Sequence, residues 1–159
     1  MKKVVTIIMG SKSDLDTMKE TSIALAEFGI GHDMRVMSAH RTPKEVIKFS
    51  LAARDKGIKV IIAGAGGAAH LAGVIAAHTT LPVIGVPIET RSLKGLDSLL
   101  STVQMPKNVP VGTVAIGKSG ARNAGILAAQ ILGVEDKKIA KKLAVFKKKL
   151  EKLAKNIRL

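Results

Sequence analysis

The residues best suited to chemistry in this chain are His40 and Arg41, within the segment Ser38-Ala39-His40-Arg41-Thr42-Pro43. An imidazole titrates near neutrality and can both give and take a proton, and a guanidinium is shaped to hold a phosphate. Thr42 and Pro43 have a simpler explanation: threonine suits a helix cap, and proline suits the first helical position. Neither role accounts for His40 or Arg41. A lone surface histidine is usually idle, but this one lies between a strand end and a helix start, next to a candidate phosphate ligand.

Two further segments have comparable character. Gly10-Ser11-Lys12-Ser13-Asp14 precedes a helix, where free backbone N–H groups and the helix dipole attract anions such as a phosphate. Ser13 reads best as the cap of that helix, with Asp16 three residues on, a near miss to a capping box. Ser11 and Asp14 are then left for ligand contact, because one cap does not use both. The third segment, Gly64-Ala65-Gly66-Gly67-Ala68-Ala69-His70, contains a G-x-G-x-x-A pattern, with Glu89 beyond the following strand. That pattern raises a dinucleotide fingerprint, but the fingerprint opens larger domains, and this chain has no room for a second substrate-binding half. The glycines can instead let backbone approach a flat ligand. His70 is either a ligand contact or a cap on its own turn.

Other chemistries find little support. The four histidines, His32, His40, His70 and His78, form no H-x-x-x-H pair and have no carboxylate at a ligand-like interval, so no metal is expected. No G-x-S-x-G elbow is present, and without cysteine there is no thiolate catalysis, disulfide or Cys-ligated zinc. A reducing, cytoplasmic setting fits this composition.

These loops need a scaffold, and hydropathy supplies one. Short β-branched runs near 4–9, 32–37, 59–63, 82–86 and 111–116 alternate with helix-period segments near 14–28, 43–56, 68–78, 96–103 and 120–132. Five βα units predict a doubly wound, three-layer α/β/α sandwich with a parallel sheet of about five strands. In such sheets ligands bind beyond the carboxyl ends of the strands, and the three segments follow strands one, two and three. The Val4–Ile8 run stops at Gly10 without a cleavage-type site and reads as the first strand rather than a signal peptide. Val60 to Ala77 approaches the length of a membrane span but is broken by glycines, so no membrane partner is expected.

With 159 residues, 47% of them hydrophobic, the chain suits one well-cored α/β catalytic domain, placed at residues 1–133. Residues 134–159 read as a basic amphipathic helix. Its seam of Ile139, Leu143, Phe146, Leu150, Leu153 and Ile157 packs either on its own domain or on a neighbouring subunit. Residues 135–159 hold ten Lys and Arg against three Asp and Glu, which is half of the +14 net charge. With three Phe and no Tyr or Trp to stack bases, the balance is against nucleic acid, and the positive field suits a small phosphorylated substrate.

Four segments in order, Met9 to Asp14, Ser38 to Pro43, Gly64 to Leu71, and Asp97-Ser98-Leu99 with Val103-Gln104-Met105-Pro106, resemble the 5-(carboxyamino)imidazole ribonucleotide mutase family over residues 4–133. Pro110 to Lys118 resembles the mutase branch rather than the branch that carboxylates aminoimidazole ribonucleotide directly. The resemblance implies a flavodoxin-like fold and a purine-biosynthetic isomerase that works without cofactor or metal through a carbon dioxide intermediate. It also implies a homo-octamer with sites at subunit contacts. It makes His40 the catalytic acid–base and Ser11, Asp14 and Arg41 contacts to the ribonucleotide, with Arg41 near the phosphate. Ser13, Ser38, Ala39, Gly64, Gly66, Gly67, His70 and Leu71 are placed around them as substrate-binding positions. The sequence departs from the family pattern at Ala72, where proline is usual, and in the run Glu89-Thr90-Arg91; the lost proline loosens the turn entering the next helix.

Overall fold

The computed structural model describes residues 2–155 as five parallel strands with helices on both faces. Strand β1 (Val5–Met9) is buried along its whole length and pairs with β2 (His32–Val36) on one side and β3 (Val60–Gly66) on the other. Beyond β3 lie β4 (Val83–Ile88) and the two-residue β5 (Gly112–Thr113), giving the order β2-β1-β3-β4-β5. Successive side chains of a strand point to opposite faces, so the apolar runs of the central strands supply two cores. Ile7 and Ile62 enter one with Met18, Leu25 and Ala128, whereas Ile8 and Ile61 enter the other with Val46, Leu71 and Ile75.

Helices α1 (Leu15–Glu27) and α5 (Gly117–Gly133) cover the first face. They approach closely because α5 presents small residues: a Cβ added at Gly125 would lie 2.8 Å from both Ala24 Cβ and Thr21 O. The Thr21 hydroxyl donates to Ala121 O at 2.7 Å within this contact. The second face carries α2 (Pro43–Ala52), α3 (Leu71–Ala76) and α4 (Leu96–Val103). Gly85 of β4 makes room there, since a side chain would overlap Thr102 Cγ2 and press on Val111.

The last helix, α6 (Lys137–Lys155), begins where Asp136 Oδ1 accepts the N–H groups of Lys138 and Ile139 at 2.8 and 3.2 Å. Ile139, Leu143 and Phe146 pack against the α1/α5 core, with Phe146 edge-on to Phe28 at 5.5 Å between centroids. Leu150 and Leu153 of the same seam stay 44% and 57% exposed, and Ile157 lies outside the described residues. The amphipathic pattern therefore docks its first half on its own domain.

Several boundaries differ from expectation. The fifth strand, expected over 111–116, is only Gly112–Thr113: Val114 N–H still reaches Gly85 O, then the chain turns into α5 through Gly117 at φ +74°. The second helix stops at Ala52, before turns ending at Gly57 with φ +81°. The third helix is confined to Leu71–Ala76 because residues 67–70 form tight turns, and the first is preceded by a 3-10 turn at Lys12–Asp14.

Candidate active site

Strand order reverses between β1 and β3, so the loops leaving these strands run in opposite directions and open a crevice at the carboxyl edge of the sheet. A cavity of about 570 Å³ occupies it, walled by the loops after β1, β2, β3 and β4. Of the residues singled out from sequence, Ser11, Ser13, Asp14, Ser38, Ala39, His40, Arg41, Gly66 and Leu71 line this cavity. Gly64, Gly67 and His70 stand behind or beside its wall. Gly64 lies inside β3, where its carbonyl accepts Gly10 N–H at 3.1 Å and any side chain would overlap Met18 Sδ. Gly67 turns the chain at φ +68°, a conformation that costs glycine little.

The His40 loop is braced by its own side chains. Ser38 N–H donates to Thr42 Oγ1 at 3.0 Å, and Thr42 Oγ1 donates back to Ser38 O at 3.1 Å. Thr42 occupies the cap position of α2 with Pro43 in the first turn, as the sequence suggests, but its hydroxyl closes this loop instead of capping the helix. Ser38 Oγ accepts Arg41 N–H at 3.2 Å, and Arg41 Nη2 donates to Gly10 O at 2.8 Å. Arg41 thereby ties the second loop to the first, with guanidinium donors left for an anion.

His40 Nε2 lies 2.8 Å from His70 Nδ1, the rings nearly perpendicular with centroids 4.9 Å apart. A hydrogen bond needs one donor and one acceptor, so these facing nitrogens share a single proton. Neither of the two roles open to His70 from sequence describes this contact. His70 sits at the N-cap position of α3 but makes no capping bond, and its ring is engaged with His40.

The first loop corrects another expectation. The capping residue is Ser11, not Ser13: Ser11 Oγ accepts Ser13 N–H at 3.3 Å, while Asp14 Oδ2 accepts Ser11 N–H at 3.1 Å, so one capping box uses both Ser11 and Asp14. The box belongs to the 3-10 turn, which shifts it two residues upstream of the position inferred from helix periodicity. Ser13 Oγ donates to the other oxygen of Asp14 at 3.2 Å. Burial pushes the Asp14 carboxyl above its ordinary value, against the opposing pull of Ser13, Ser11 and the Arg41 charge.

Sequence reasoning weighed Glu89 only for a dinucleotide fingerprint and Glu89-Thr90-Arg91 only as a departure from the family pattern, and did not place the loop after β4 in the site. Glu89, Thr90 and Arg91 line the cavity, together with Ile88 at the strand end. The rule that selected the other three loops applies equally here; what this loop lacks is a glycine or histidine signature. Among the described residues, no group of three or more His, Cys, Asp and Glu is placed to hold a metal ion, and no helix is long and apolar enough to cross a membrane.

The N5-carboxyaminoimidazole ribonucleotide mutase of Vibrio parahaemolyticus is 59% identical over 143 residues, covering 90% of this chain and 89% of that protein. The protein of that name from Bacillus subtilis is 58% identical over 143 residues, with 90% and 88% covered. That of Pyrococcus horikoshii is 52% identical over 160 residues, with 98% and 89% covered. Among solved structures, Treponema denticola PurE superposes with a TM-score of 0.83 at 28% identity, covering 97% of this chain and 98% of that one. The AIR carboxylase family model matches residues 4–153, extending the resemblance from residue 133 through most of α6, and the chain belongs to that family.

Proposed function

We propose that this chain isomerises 5-(carboxyamino)imidazole ribonucleotide to 4-carboxy-5-aminoimidazole ribonucleotide, a step of purine biosynthesis, with His40 as acid–base. The observation that carries the reading is His40 at the cavity wall, its ring hydrogen-bonded to His70 and its neighbour Arg41 aimed across the cavity mouth. The reaction moves one carboxyl group and needs no net proton. The bond from exocyclic nitrogen to carboxyl carbon breaks as carbon dioxide departs, and the nitrogen keeps the electron pair and takes a proton. The adjacent ring carbon attacks carbon dioxide, and loss of its proton restores aromaticity. One imidazole serves both transfers, giving a proton to nitrogen and later taking one from carbon.

The other groups hold the reactants for this step. Arg41 anchors the phosphate, and Ser11 and Asp14 contact the ribose, the Asp14 carboxylate accepting from its hydroxyls. Ser13, Ser38 and Ala39 complete that wall. Gly64, Gly66, Gly67, His70 and Leu71 shape a floor on which the flat ring and carbon dioxide stay together, which raises their effective concentration and limits escape. The working form is a cytoplasmic homo-oligomer, octameric by family resemblance, in which the exposed Leu150 and Leu153 of α6 are covered by a neighbouring copy.

Incubating the purified chain with each ribonucleotide, with and without bicarbonate, tests the reading. A mutase consumes the carboxyamino compound without needing bicarbonate. Consumption of aminoimidazole ribonucleotide in proportion to bicarbonate, with the carbamate ignored, would make it a direct carboxylase, and binding without turnover would make it a nucleotide sensor.

A further inference from the structure

We propose that Ser98 is a positioning residue for this reaction, its buried hydroxyl setting the glycine loop and, through it, the His40–His70 pair. Ser98 lies in α4, is fully buried, and touches nothing in the cavity. Its Oγ accepts Gly67 N–H at 2.9 Å and donates to Ile88 O at 2.6 Å. One hydroxyl thereby joins the exits of β3 and β4, the two strands whose following loops form the far wall of the cavity.

The connection to the histidines is short and continuous. Gly67 O accepts Ala69 N–H at 2.8 Å, and Ala68 O accepts His70 N–H at 2.9 Å, so consecutive tight turns carry the position of Gly67 to His70. His70 then meets His40 at 2.8 Å. The Gly67–His70 segment has no side-chain hydroxyl, amide or carboxylate of its own to fix it before His70. The same helix also holds the other wall: Thr90 Oγ1 donates to Asp97 Oδ1 at 2.8 Å. Strand pairing sets the wall spacing only as far as Gly66 and Ile88. Without the Ser98 hydroxyl, Gly67 N–H and Ile88 O lose their shared partner, and Gly67 is tied to α4 only by the longer bond from Ser101 Oγ to its carbonyl at 3.3 Å.

The kinetic arm of the test rests on the mutase reading; the spectroscopic arm does not. Ser98→Ala is compared with Thr102→Val, which deletes another buried α4 hydroxyl, one that donates only to Ser98 O within its helix. Ser98→Ala should lower kcat about 10- to 100-fold with KM changed less than about threefold, because His70 moves while the phosphate contacts stay. In the ligand-free protein, the ring resonances of His40 and His70 should be displaced by Ser98→Ala and unmoved by Thr102→Val. Ser98→Cys fills the site with a slightly larger group that bonds weakly, and should fall between wild type and alanine, which covers the case of a poorly folded alanine variant. Unmoved histidine signals in a folded Ser98 variant, or equal effects from Thr102→Val, would overturn the proposal. A wild-type chain that turns over neither ribonucleotide defeats the mutase reading, and the histidine signals still decide the role of Ser98.

Discussion

The two loops that bring His40 and His70 together are built in opposite ways. Between Ser38 and Thr42 the chain fixes itself: Ser38 and Thr42 exchange hydrogen bonds, Arg41 returns to Ser38, and the loop stays largely exposed. From Gly64 to Ala69 there is only glycine and alanine, and the geometry comes from elsewhere, through Gly10, Met18 and Ser98. A polar loop states its conformation in its own residues. A glycine loop lets backbone approach a ligand closely and hands its conformation to its neighbours.

If this contrast is right, side-chain deletions in the first loop act on chemistry and binding, whereas changes in the second act on packing. His40→Asn should have the largest effect, lowering turnover about 10²- to 10⁴-fold while the ribonucleotide still binds, as measured by steady-state rates and calorimetric titration. Near-normal turnover would remove His40 from the mechanism. Arg41→Ala should come next, raising KM about 10- to 100-fold with a much smaller change in kcat, as expected for a lost charge-assisted contact. A fall confined to kcat would mean that its bond to Gly10 O matters more than an anion contact.

Gly64→Ala should destabilise the fold by about 1–3 kcal/mol, because the methyl collides with Met18, which is fully buried. Thr42→Val, in the self-braced loop, should cost only about 0.5–1.5 kcal/mol. Denaturant midpoints that reverse this order would break the comparison.

The smallest effect concerns Asp14. Its folded value is raised above 3.8 by burial, so the folded chain holds this proton more tightly than the unfolded one. Its favourable contribution is present below 3.8 and is lost as pH rises through the folded value. Asparagine carries no such proton, so the stability of wild type relative to Asp14→Asn should fall on raising the pH across that window. A rise instead would mean that the hydrogen bonds from Ser13 and Ser11, together with the Arg41 charge, outweigh burial at Asp14.

The same contrast explains what was legible in the sequence. The apolar runs Val5–Met9 and Val60–Ala63 predict buried parallel strands because both faces of the sheet are covered, and the structure places them at its centre. Pro43 announces the start of α2, and the His40 loop was found from its own residues. The His40–His70 contact was not, since it depends on residues 30 apart in sequence, on loops after two different strands, meeting at one edge. Ser98 looked like one residue of a short motif; its role follows from tertiary placement alone. Glu89, Thr90 and Arg91 were noted for a fingerprint and as a departure from the family pattern but not placed in the site, because they resemble an ordinary polar connection. The error over which serine caps the first loop was local, a capping box set by a 3-10 turn that helix periodicity does not reveal.

In the proposed reaction one proton carrier, His40, serves nitrogen and carbon in turn. This double role is tested most directly by following the two half-reactions separately in wild type and His40→Asn. The first is enzyme-dependent release of labelled carbon dioxide from the carboxyamino ribonucleotide; the second is loss of deuterium from the ring carbon of the same compound as product forms. His40→Asn should suppress both by similar factors with binding retained. Suppression of one with the other left intact would contradict the double role.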